Sequence, residues 1–285
     1  AYGRPPAAVE QYQAAAAITA DAAAFLKLAA AYETLADWSQ AEAALTQAVQ
    51  QAPDDYTVRL RQGQLYAQRG QYGDATTALA EARRLDPSRY ETYIALAETQ
   101  LARGDAAQAQ EQFKQAQQAA PNDPAPLLAW ADALAAHGDL QTALDRYAEA
   151  AQLATDNAAV PVYAHWIAAL RAGGDTTQAN KLAASLAATY PQSAQALAVQ
   201  ADALRSQQQL DEAVTTYRAA LALQPADAAL RVRLAQTWVE QGQADAAQTL
   251  LEEGLALPGG HAELLTAQAD LLVGQGLNAQ RTAEA

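Results

Sequence analysis

The sequence predicts an all-α protein in which one pair of helices repeats along the chain. Alanine, glutamine and leucine dominate the 285 residues, of which 51% are hydrophobic but only 6% aromatic. Alanine, glutamine and leucine lose little rotamer freedom in a helix. A core made largely of alanine must be thin, with backbones close together, so a long stack of helices fits this composition better than a sphere.

A pattern of small residues, large apolar residues and proline recurs with a period of 34 residues. Ala75, Leu79 and Pro87, for example, each have a small, large apolar or proline counterpart 34 residues further on. A period of this length indicates a supersecondary unit that buries its apolar face by stacking on its neighbours. Positions are numbered from 1 at the first residue of each of seven full repeats: Ala22, Tyr56, Tyr90, Pro124, Val160, Ala194 and Ala228.

Two helices, A and B, are predicted within each repeat. Small residues at positions 8, 20 and 27 let the helices approach closely, and a larger side chain there would cost about 1–3 kcal/mol in overpacking. Large residues at positions 4, 7, 11 and 24 fill the remaining space, and proline at position 32 closes helix B. Glycine tolerates the left-handed conformation that follows the end of helix A. These glycines, at position 15, are Gly70, Gly104, Gly138, Gly174 and Gly242.

Over nearly the whole chain these positions resemble the tetratricopeptide repeat family. The resemblance implies a single right-handed α-solenoid, or superhelix, over residues 1–285, in which helix A lines the concave face. It also implies a non-catalytic scaffold for protein–protein interaction. In the first full repeat the matching residues are Phe25, Leu28, Ala29, Tyr32, Ala41, Leu45, Ala48 and Pro53.

The fourth repeat departs from the pattern. Thr155 stands where proline is expected, and two residues are added within 155–162. We therefore expect a local irregularity of the solenoid there. Pro161 still suits the first turn of the next helix.

Each end of the chain carries half a repeat. Residues 1–21 have the spacing of a helix B alone, and residues 262–276 have that of a helix A alone, followed by a tail over 277–285. Two hypotheses explain these halves. The chain assembles head to tail by completing a split repeat, which propagates into a filament, or it is a segment of a longer repeat array. The head-to-tail interface would join Ala8, Tyr12 and Ala15 of one molecule to Leu265, Ala269 and Leu272 of the next.

The face of helix A that the resemblance makes concave carries an apolar row beside an intermittently acidic one, at positions 5 and 9. A basic or amphipathic peptide is therefore predicted to bind there by charge complementarity. The alternative is that the acids only keep an exposed surface soluble. The family's clamp for C-terminal carboxylates uses Lys at position 5 and Asn at position 9, and neither occurs here. The predicted groove residues are Leu60, Ile94, Glu98, Leu128, Asp132, Arg171, Asp202 and Arg205.

Composition and motifs argue against catalysis and against several kinds of ligand. A net charge of −14 with no basic run argues against nucleic acid as the main partner. No window of 18 uncharged apolar residues occurs, so no membrane-spanning segment is expected. The three histidines lack metal-ligand spacing, and neither a phosphate-binding loop nor a serine nucleophile motif is present. We predict no enzyme, no metal and no cofactor. Five aspartates between A and B helices are predicted to cap or complement helix N-termini: Asp105, Asp139, Asp175, Asp211 and Asp245.

The chain contains neither cysteine nor methionine. The absence of cysteine excludes disulfides and thiolate sites. A first residue other than methionine suits a chain that has been processed after a signal peptide. We therefore expect an extracytoplasmic or secreted protein, with a cytoplasmic location left open.

Overall fold

The computed structural model describes residues 5–257 and 261–284, although the side chains of 5–8, 157, 261 and 275–284 lie outside that description. The regular structure of the described residues comprises sixteen α-helices and one short 3-10 turn, with no strand. The predicted all-α class is confirmed. Contacts between Cα atoms divide the chain into two compact units, with the boundary in the sequence between Leu153 and Ala154.

The N-terminal unit consists of one helix followed by four A–B pairs. Each pair packs mainly on itself, and successive A helices lie beside one another. Their bounds are α1 Pro5–Thr19, α2 Ala22–Thr34, α3 Trp38–Gln51, α4 Tyr56–Gln68, α5 Tyr72–Leu85, α6 Tyr90–Arg103, α7 Ala106–Ala119, α8 Ala125–Ala136 and α9 Leu140–Leu153.

The C-terminal unit begins with the irregularity expected within 155–162. A 3-10 turn spans Asp156–Ala158, and Asp156 has a φ of 50°. Pro161 lies in the first turn of the helix that follows. The helices of this unit are α10 Ala159–Ala172, α11 Thr176–Thr189, α12 Ala194–Ser206, α13 Leu210–Leu223, α14 Ala228–Glu240, α15 Ala244–Leu255 and α16 His261–Glu284.

Every A helix of the seven full repeats ends in the same left-handed turn at position 15. The five glycines predicted there have φ values between 74° and 91°. In the third repeat the N–H of Asp105 donates to the carbonyl of Gln100 at 2.8 Å, which is the bond of a Schellman motif. Ala36 and Gln208 adopt the same turn in the first and sixth repeats with φ of 55° and 60°. A side chain in this conformation costs about 1–2 kcal/mol, which explains why glycine occupies the other five turns.

Small residues form the contact between A and B helices, as the spacing predicts. Ala41 and Ala48 at positions 20 and 27 are fully buried, and so are their counterparts Ala75 and Ala82. A Cβ added to Gly63, at position 8, would lie 2.5 Å from Cγ of Leu79. Helices A and B of the second repeat therefore pass so close to each other that the site at Gly63 has no room for a methyl group.

Position 3 of helix A is a buried position that the sequence pattern did not indicate. Val58, Thr92 and Val162 at this position are almost completely buried. The hydroxyl group of Thr92 donates to the hydroxyl oxygen of Tyr56 in the preceding repeat at 3.1 Å. In the third repeat, position 3 therefore joins neighbouring A helices.

Helix α16 does not end at Gly276. The residues expected as a tail, 277–284, continue the helix to Glu284. A glycine inside a helix costs only about 1 kcal/mol relative to alanine.

We expect Gly63→Ala to destabilise the protein. The added methyl group meets Cγ and Cδ2 of Leu79 at 2.5 and 2.7 Å. Overpacking of about 1–3 kcal/mol outweighs a gain in helix propensity of up to about 1 kcal/mol. Urea denaturation followed by circular dichroism measures the difference.

Gly73→Ala is the matched control for that substitution. Gly73 also lies in a helix, α5, but an added Cβ meets nothing within 4 Å. This variant should equal or exceed the wild-type stability. Equal stability of the two alanine variants would contradict the close approach at Gly63.

Candidate protein-binding groove

A polar cavity lies between the A helices α4 and α6 of the N-terminal unit. Its volume is about 360 Å³, which lies near the lower end of the range of roughly 300–1,000 Å³ found for small-molecule sites. Small alanines line it between longer polar side chains. We call this cavity, with the adjoining surface of α8 that carries Asp132, the A-helix groove. Its lining residues are Arg61, Gln64, Ala67, Gln68, Ala95, Glu98, Thr99 and Ala102.

The apolar residues predicted at position 5 lie outside the lining of this cavity. Leu60, Ile94 and Leu128 are each half-buried. Leu60 packs against the buried Leu79 and Leu96. The apolar surface of Leu60 is therefore partly used for packing, and the floor of the groove comes from alanines at other positions.

Glu98 is the acidic group that lines the groove, and among the described residues no cation pairs with it. Its side chain is exposed as a whole, although the walls of the cavity partly surround the carboxyl group. Loss of hydration there, followed by the negative charge of Asp132 on α8, raises the pKa of Glu98 above its ordinary value. The groove therefore holds two carboxyl groups on neighbouring A helices.

Asp132 and Asp202 each accept a hydrogen bond from a tyrosine of their own repeat. The Tyr147 hydroxyl donates to Oδ1 of Asp132 at 2.6 Å, and the Tyr217 hydroxyl donates to Oδ1 of Asp202. Burial is the main cause that raises the pKa of both tyrosines, and the bond to the carboxylate adds to it. Sequence reasoning missed this pairing. The signal was available, since aspartate at position 9 occurs only in the full repeats with tyrosine at position 24.

The predicted groove residues of the C-terminal unit join α12 to α14. Nη2 of Arg205 contacts Oε1 of Glu240 at 2.6 Å, and Nη1 of Arg233 contacts Oδ2 of Asp202 at 3.1 Å. Asp202 and Arg205 therefore hold neighbouring repeats together. Arg171 differs, because its Nε and Nη2 atoms are buried without a hydrogen-bond partner among the described residues.

A second cavity, of about 250 Å³, lies between α14 and α16. Val232, Val239 and Leu271 give it an apolar wall, and Glu240 and Asp270 give it an acidic rim. Glu240 already pairs with Arg205. The acidic groups of this cavity are thus partly neutralised, unlike Glu98 in the A-helix groove.

Helix α16 presents the residues of the predicted head-to-tail interface to solvent. Leu265 is 54% exposed and Leu272 is 52% exposed, and Ala269 lies between them on the exposed side. The opposite side of α16 buries Leu264 and Leu271 in the core of the C-terminal unit. This helix therefore has one packed and one open apolar face.

Helix α1 presents a less open surface. Val9 and Ala16 are buried with the core residues of α2, and Tyr12 and Ala15 are half-buried. Ala8 lies in α1, but its side chain is among those outside the description. The two predicted halves of the interface therefore differ in exposure.

The five aspartates at the turns have three different roles. Oδ1 of Asp139 and of Asp175 accepts the backbone N–H three residues later, at 3.3 and 2.9 Å, so these two are N-caps. Asp105 pairs with Arg103 at 2.7 Å instead of making a side-chain cap bond. Asp211 and Asp245 lie inside the first turn of their helices, where they complement the helix dipole.

The part of the chain that the structure describes contains neither a candidate metal site nor a membrane-spanning helix. No group of three or more histidine, aspartate or glutamate side chains is placed to hold a metal ion. No helix there combines the length and the apolar character required to cross a membrane.

Two family models, both described as tetratricopeptide repeat, match the sequence. One matches residues 66–130 and 204–271, and the other matches residues 26–90 and 166–228. With its paired helices, left-handed turns and alanine contacts, the chain belongs to the tetratricopeptide repeat family. Family and fold support a role as a scaffold for protein–protein interaction. A comparison with curated protein sequences finds no match.

Solved structures share the fold at low sequence identity. Yeast Tom70 is 19% identical with a TM-score of 0.62, over 99% of this chain and 54% of the Tom70 chain. The Cut9–Hcn1 hetero-tetramer of the APC/C is 18% identical with a TM-score of 0.51, over 89% of this chain and 49% of the matched chain. PilW, a type IV pilus biogenesis factor, is 18% identical with a TM-score of 0.51, over 74% of this chain and 97% of its own. The chain thus spans about half the length of the first two relatives.

Glu98→Gln should raise the melting temperature at pH 7. The raised pKa means that the folded protein binds this proton more readily than the unfolded chain does. Stability contributed by this group is therefore lost as the pH rises from the ordinary glutamate pKa through the raised one. Because glutamine does not ionise, the Glu98→Gln variant does not lose this stability as the pH rises. Its melting temperature should therefore depend less on pH than that of the wild type between about pH 4 and pH 8.

Glu111→Gln removes one carboxylate from the exposed surface of α7 and serves as the control. We expect its melting temperature to follow that of the wild type across the same pH range. A Glu98→Gln protein that melts below the wild type at pH 7 would show that Glu98 stabilises the fold.

Proposed function

We propose that this scaffold binds a basic or amphipathic segment of a partner protein in the A-helix groove. The observation that carries the proposal is the pair of carboxyl groups, Glu98 and Asp132, because no cation of the described residues pairs with Glu98. Arg61 lines the same cavity but pairs with Glu33. A lysine or arginine of the partner supplies that cation. Its aliphatic stem lies against the alanines of the groove floor while the charged head reaches the carboxylates.

The electrostatics of the groove favour a ligand over a purely structural role. Loss of hydration, followed by the negative charge of Asp132 on the neighbouring helix, disfavours the ionised state of Glu98, as the raised pKa of Glu98 indicates. A bound cation reverses this effect and lowers the pKa. Binding should therefore weaken as the pH falls through the raised pKa of Glu98.

A fluorescein-labelled peptide of about ten alternating lysine and leucine residues is a suitable probe. Glu98→Lys should weaken its binding about tenfold, which corresponds to about 1.4 kcal/mol. The salt dependence of the affinity should also flatten, because an attraction between charges is lost. Fluorescence anisotropy at several salt concentrations measures both effects.

Glu111→Lys makes the same change in net charge on α7, away from the groove. This control variant should bind the probe about as tightly as the wild type does. A second peptide with glutamate in place of lysine should not bind. An equal loss of affinity in Glu98→Lys and Glu111→Lys would show that net charge determines binding, and it would contradict binding in the A-helix groove.

A second candidate function is head-to-tail self-assembly into a filament. The open apolar face of α16, formed by Leu265, Ala269 and Leu272, supports it. The partner face would lie on α1 of another copy and consist of Ala8, Tyr12 and Ala15. These are the small and aromatic residue types that helix B presents to helix A within a repeat. Burial of such faces is favourable at about 25 cal/mol per Å², and association entropy opposes it.

Leu265→Arg tests this second function, with Thr266→Arg as the control. Both residues are exposed on α16, but only Leu265 belongs to the apolar face. We expect wild-type filaments in negative-stain electron microscopy at high concentration, retained in Thr266→Arg and lost in Leu265→Arg. A wild-type protein without end-to-end polymers at high concentration would exclude this function.

A further inference from the structure

The A–B turns of the first four repeats form one edge of the N-terminal unit. Neighbouring A helices contact one another from α2 to α8 and run in the same direction, so their C-terminal ends lie in a row. We call this row the turn edge, composed of residues 35–38, 69–72, 103–106 and 137–140. It carries a recess between the third and fourth repeats and an apolar protrusion at the first.

The recess has a volume of about 650 Å³ and lies between the pair α6–α7 and the pair α8–α9. Phe113 and Trp130 stack at its base, with ring centroids 5.8 Å apart and planes 7° from parallel, and both side chains are almost completely buried. Leu101 and Leu134 extend the apolar wall, and polar groups stand at the mouth. The polar lining residues are Gln110, His137, Asp139 and Thr142.

The recess coincides with a small residue at a position that is large in neighbouring repeats. Position 17 is Trp38, Tyr72 and Leu140 in the first, second and fourth repeats, but it is Ala106 in the third. Ala106 lines the recess. Ala106 therefore brings less side-chain volume to its turn than Trp38, Tyr72 and Leu140 bring to theirs.

The protrusion comes from the first repeat. Trp38 is 39% exposed and the neighbouring Leu35 is 40% exposed, both on the turn edge. The sequence pattern predicts that Trp38 packs beneath its turn, and the indole is packed there only in part. No hydrogen bond of the described residues involves its indole N–H.

We propose that two copies of this chain pair along their turn edges, with Trp38 of each inserted into the recess of the other. A two-fold interface must be self-complementary. When two turn edges are laid together antiparallel, the first turn of one copy lies opposite the third and fourth turns of its mate. The two-fold symmetry then places the first turn of the mate opposite the third and fourth turns of the first copy. Protrusion and recess lie on the same edge of the same unit, as such a pairing requires.

The chemistry of the recess suits an indole better than an aliphatic side chain. The Trp38 ring meets the apolar walls, and its N–H reaches an acceptor at the mouth. Asp139 supplies that acceptor, since only its Oδ1 is used to cap Thr142. Tryptophan is common at protein interfaces because its ring packs against apolar groups while its N–H donates a hydrogen bond.

The two-fold axis then passes near the turn of the second repeat. Arg69 of that turn pairs with Glu42, so no unpaired positive charge faces its symmetry mate. The turn edge contains no residue of the A-helix groove, and this pairing is independent of the proposed peptide binding.

Sedimentation velocity over a range of about 1–200 µM, which spans the affinity of weak dimers, tests the pairing. The wild type should approach twice the monomer mass as concentration rises. Ala106→Tyr fills the recess with the residue type found at position 17 of the second repeat, and should remain monomeric. Trp38→Ser should remain monomeric as well, and circular dichroism verifies that both variants are folded.

Leu223→Ser is the control for loss of an exposed apolar side chain. Leu223 is 38% exposed but lies at the end of α13, in the other unit. This variant should dimerise like the wild type. A wild-type protein that stays monomeric at the highest concentration, or a dimer that persists in Ala106→Tyr, overturns the proposal.

Cross-linking distinguishes this pairing from head-to-tail assembly. Because the chain has no cysteine, Ser39→Cys and His137→Cys each introduce a single thiol. Mixed under oxidising conditions, the two variants should form a disulfide between unlike chains several times faster than either variant does alone. Equal rates in the mixture and in the separate samples would contradict the predicted register.

Discussion

The close approach of helix A to helix B is the constraint on which the rest of the structure depends. In six of the seven full repeats alanine or glycine occupies positions 8, 20 and 27 and brings the two backbones together, whereas the fifth repeat has Ile167 and Leu186 at positions 8 and 27. Most pairs are therefore held by short-range contacts rather than by large interlocking side chains. The resulting pair is thin and cannot enclose a core of its own. It must stack on the next pair, and this requirement accounts for both the period of the sequence and the rows of equivalent positions along each surface.

The sequence was sufficient for this part of the structure because packing repeats with the period. Glycines at position 15 predicted the left-handed turns, and the inserted residues within 155–162 predicted the irregularity that separates the two units. Position 3 was missed, since its occupants range from Ala24 to Thr92 and Leu230 and share no obvious type. The C-terminal bound of α16 was also missed, because the helix continues through Gly276 to Glu284.

The candidate groove was only partly predictable, because a surface residue is defined by neighbours that lie a repeat away in the sequence. Position 9 was expected to carry acids on the groove face of helix A, and Glu98 at this position lines the cavity between α4 and α6. The bonds from Tyr147 to Asp132 and from Tyr217 to Asp202 were not anticipated. These bonds satisfy tyrosine hydroxyl groups that burial would otherwise leave without a partner, so part of the acidic row serves the packing of helix B. Likewise, Leu60 was expected to meet a ligand but partly packs on the core.

Differences between repeats therefore carry more information about function than the shared pattern does. A residue that recurs with the period is explained by packing, whereas a departure at an equivalent position changes the surface without changing the fold. Glu98 and Asp132 occupy the same position in successive repeats, but Asp132 accepts a bond from Tyr147 while Phe113, at the corresponding position, has no hydroxyl group to offer Glu98. Ala106 similarly lines an open recess at a position where the other three repeats of the N-terminal unit carry a large residue. Each departure leaves an open surface: Glu98 pairs with no cation among the described residues, and the half-buried Leu101 and Leu134 form a wall of the recess beside Ala106. A bound protein segment would cover either one, which is why we place the interaction surfaces where the repeats differ.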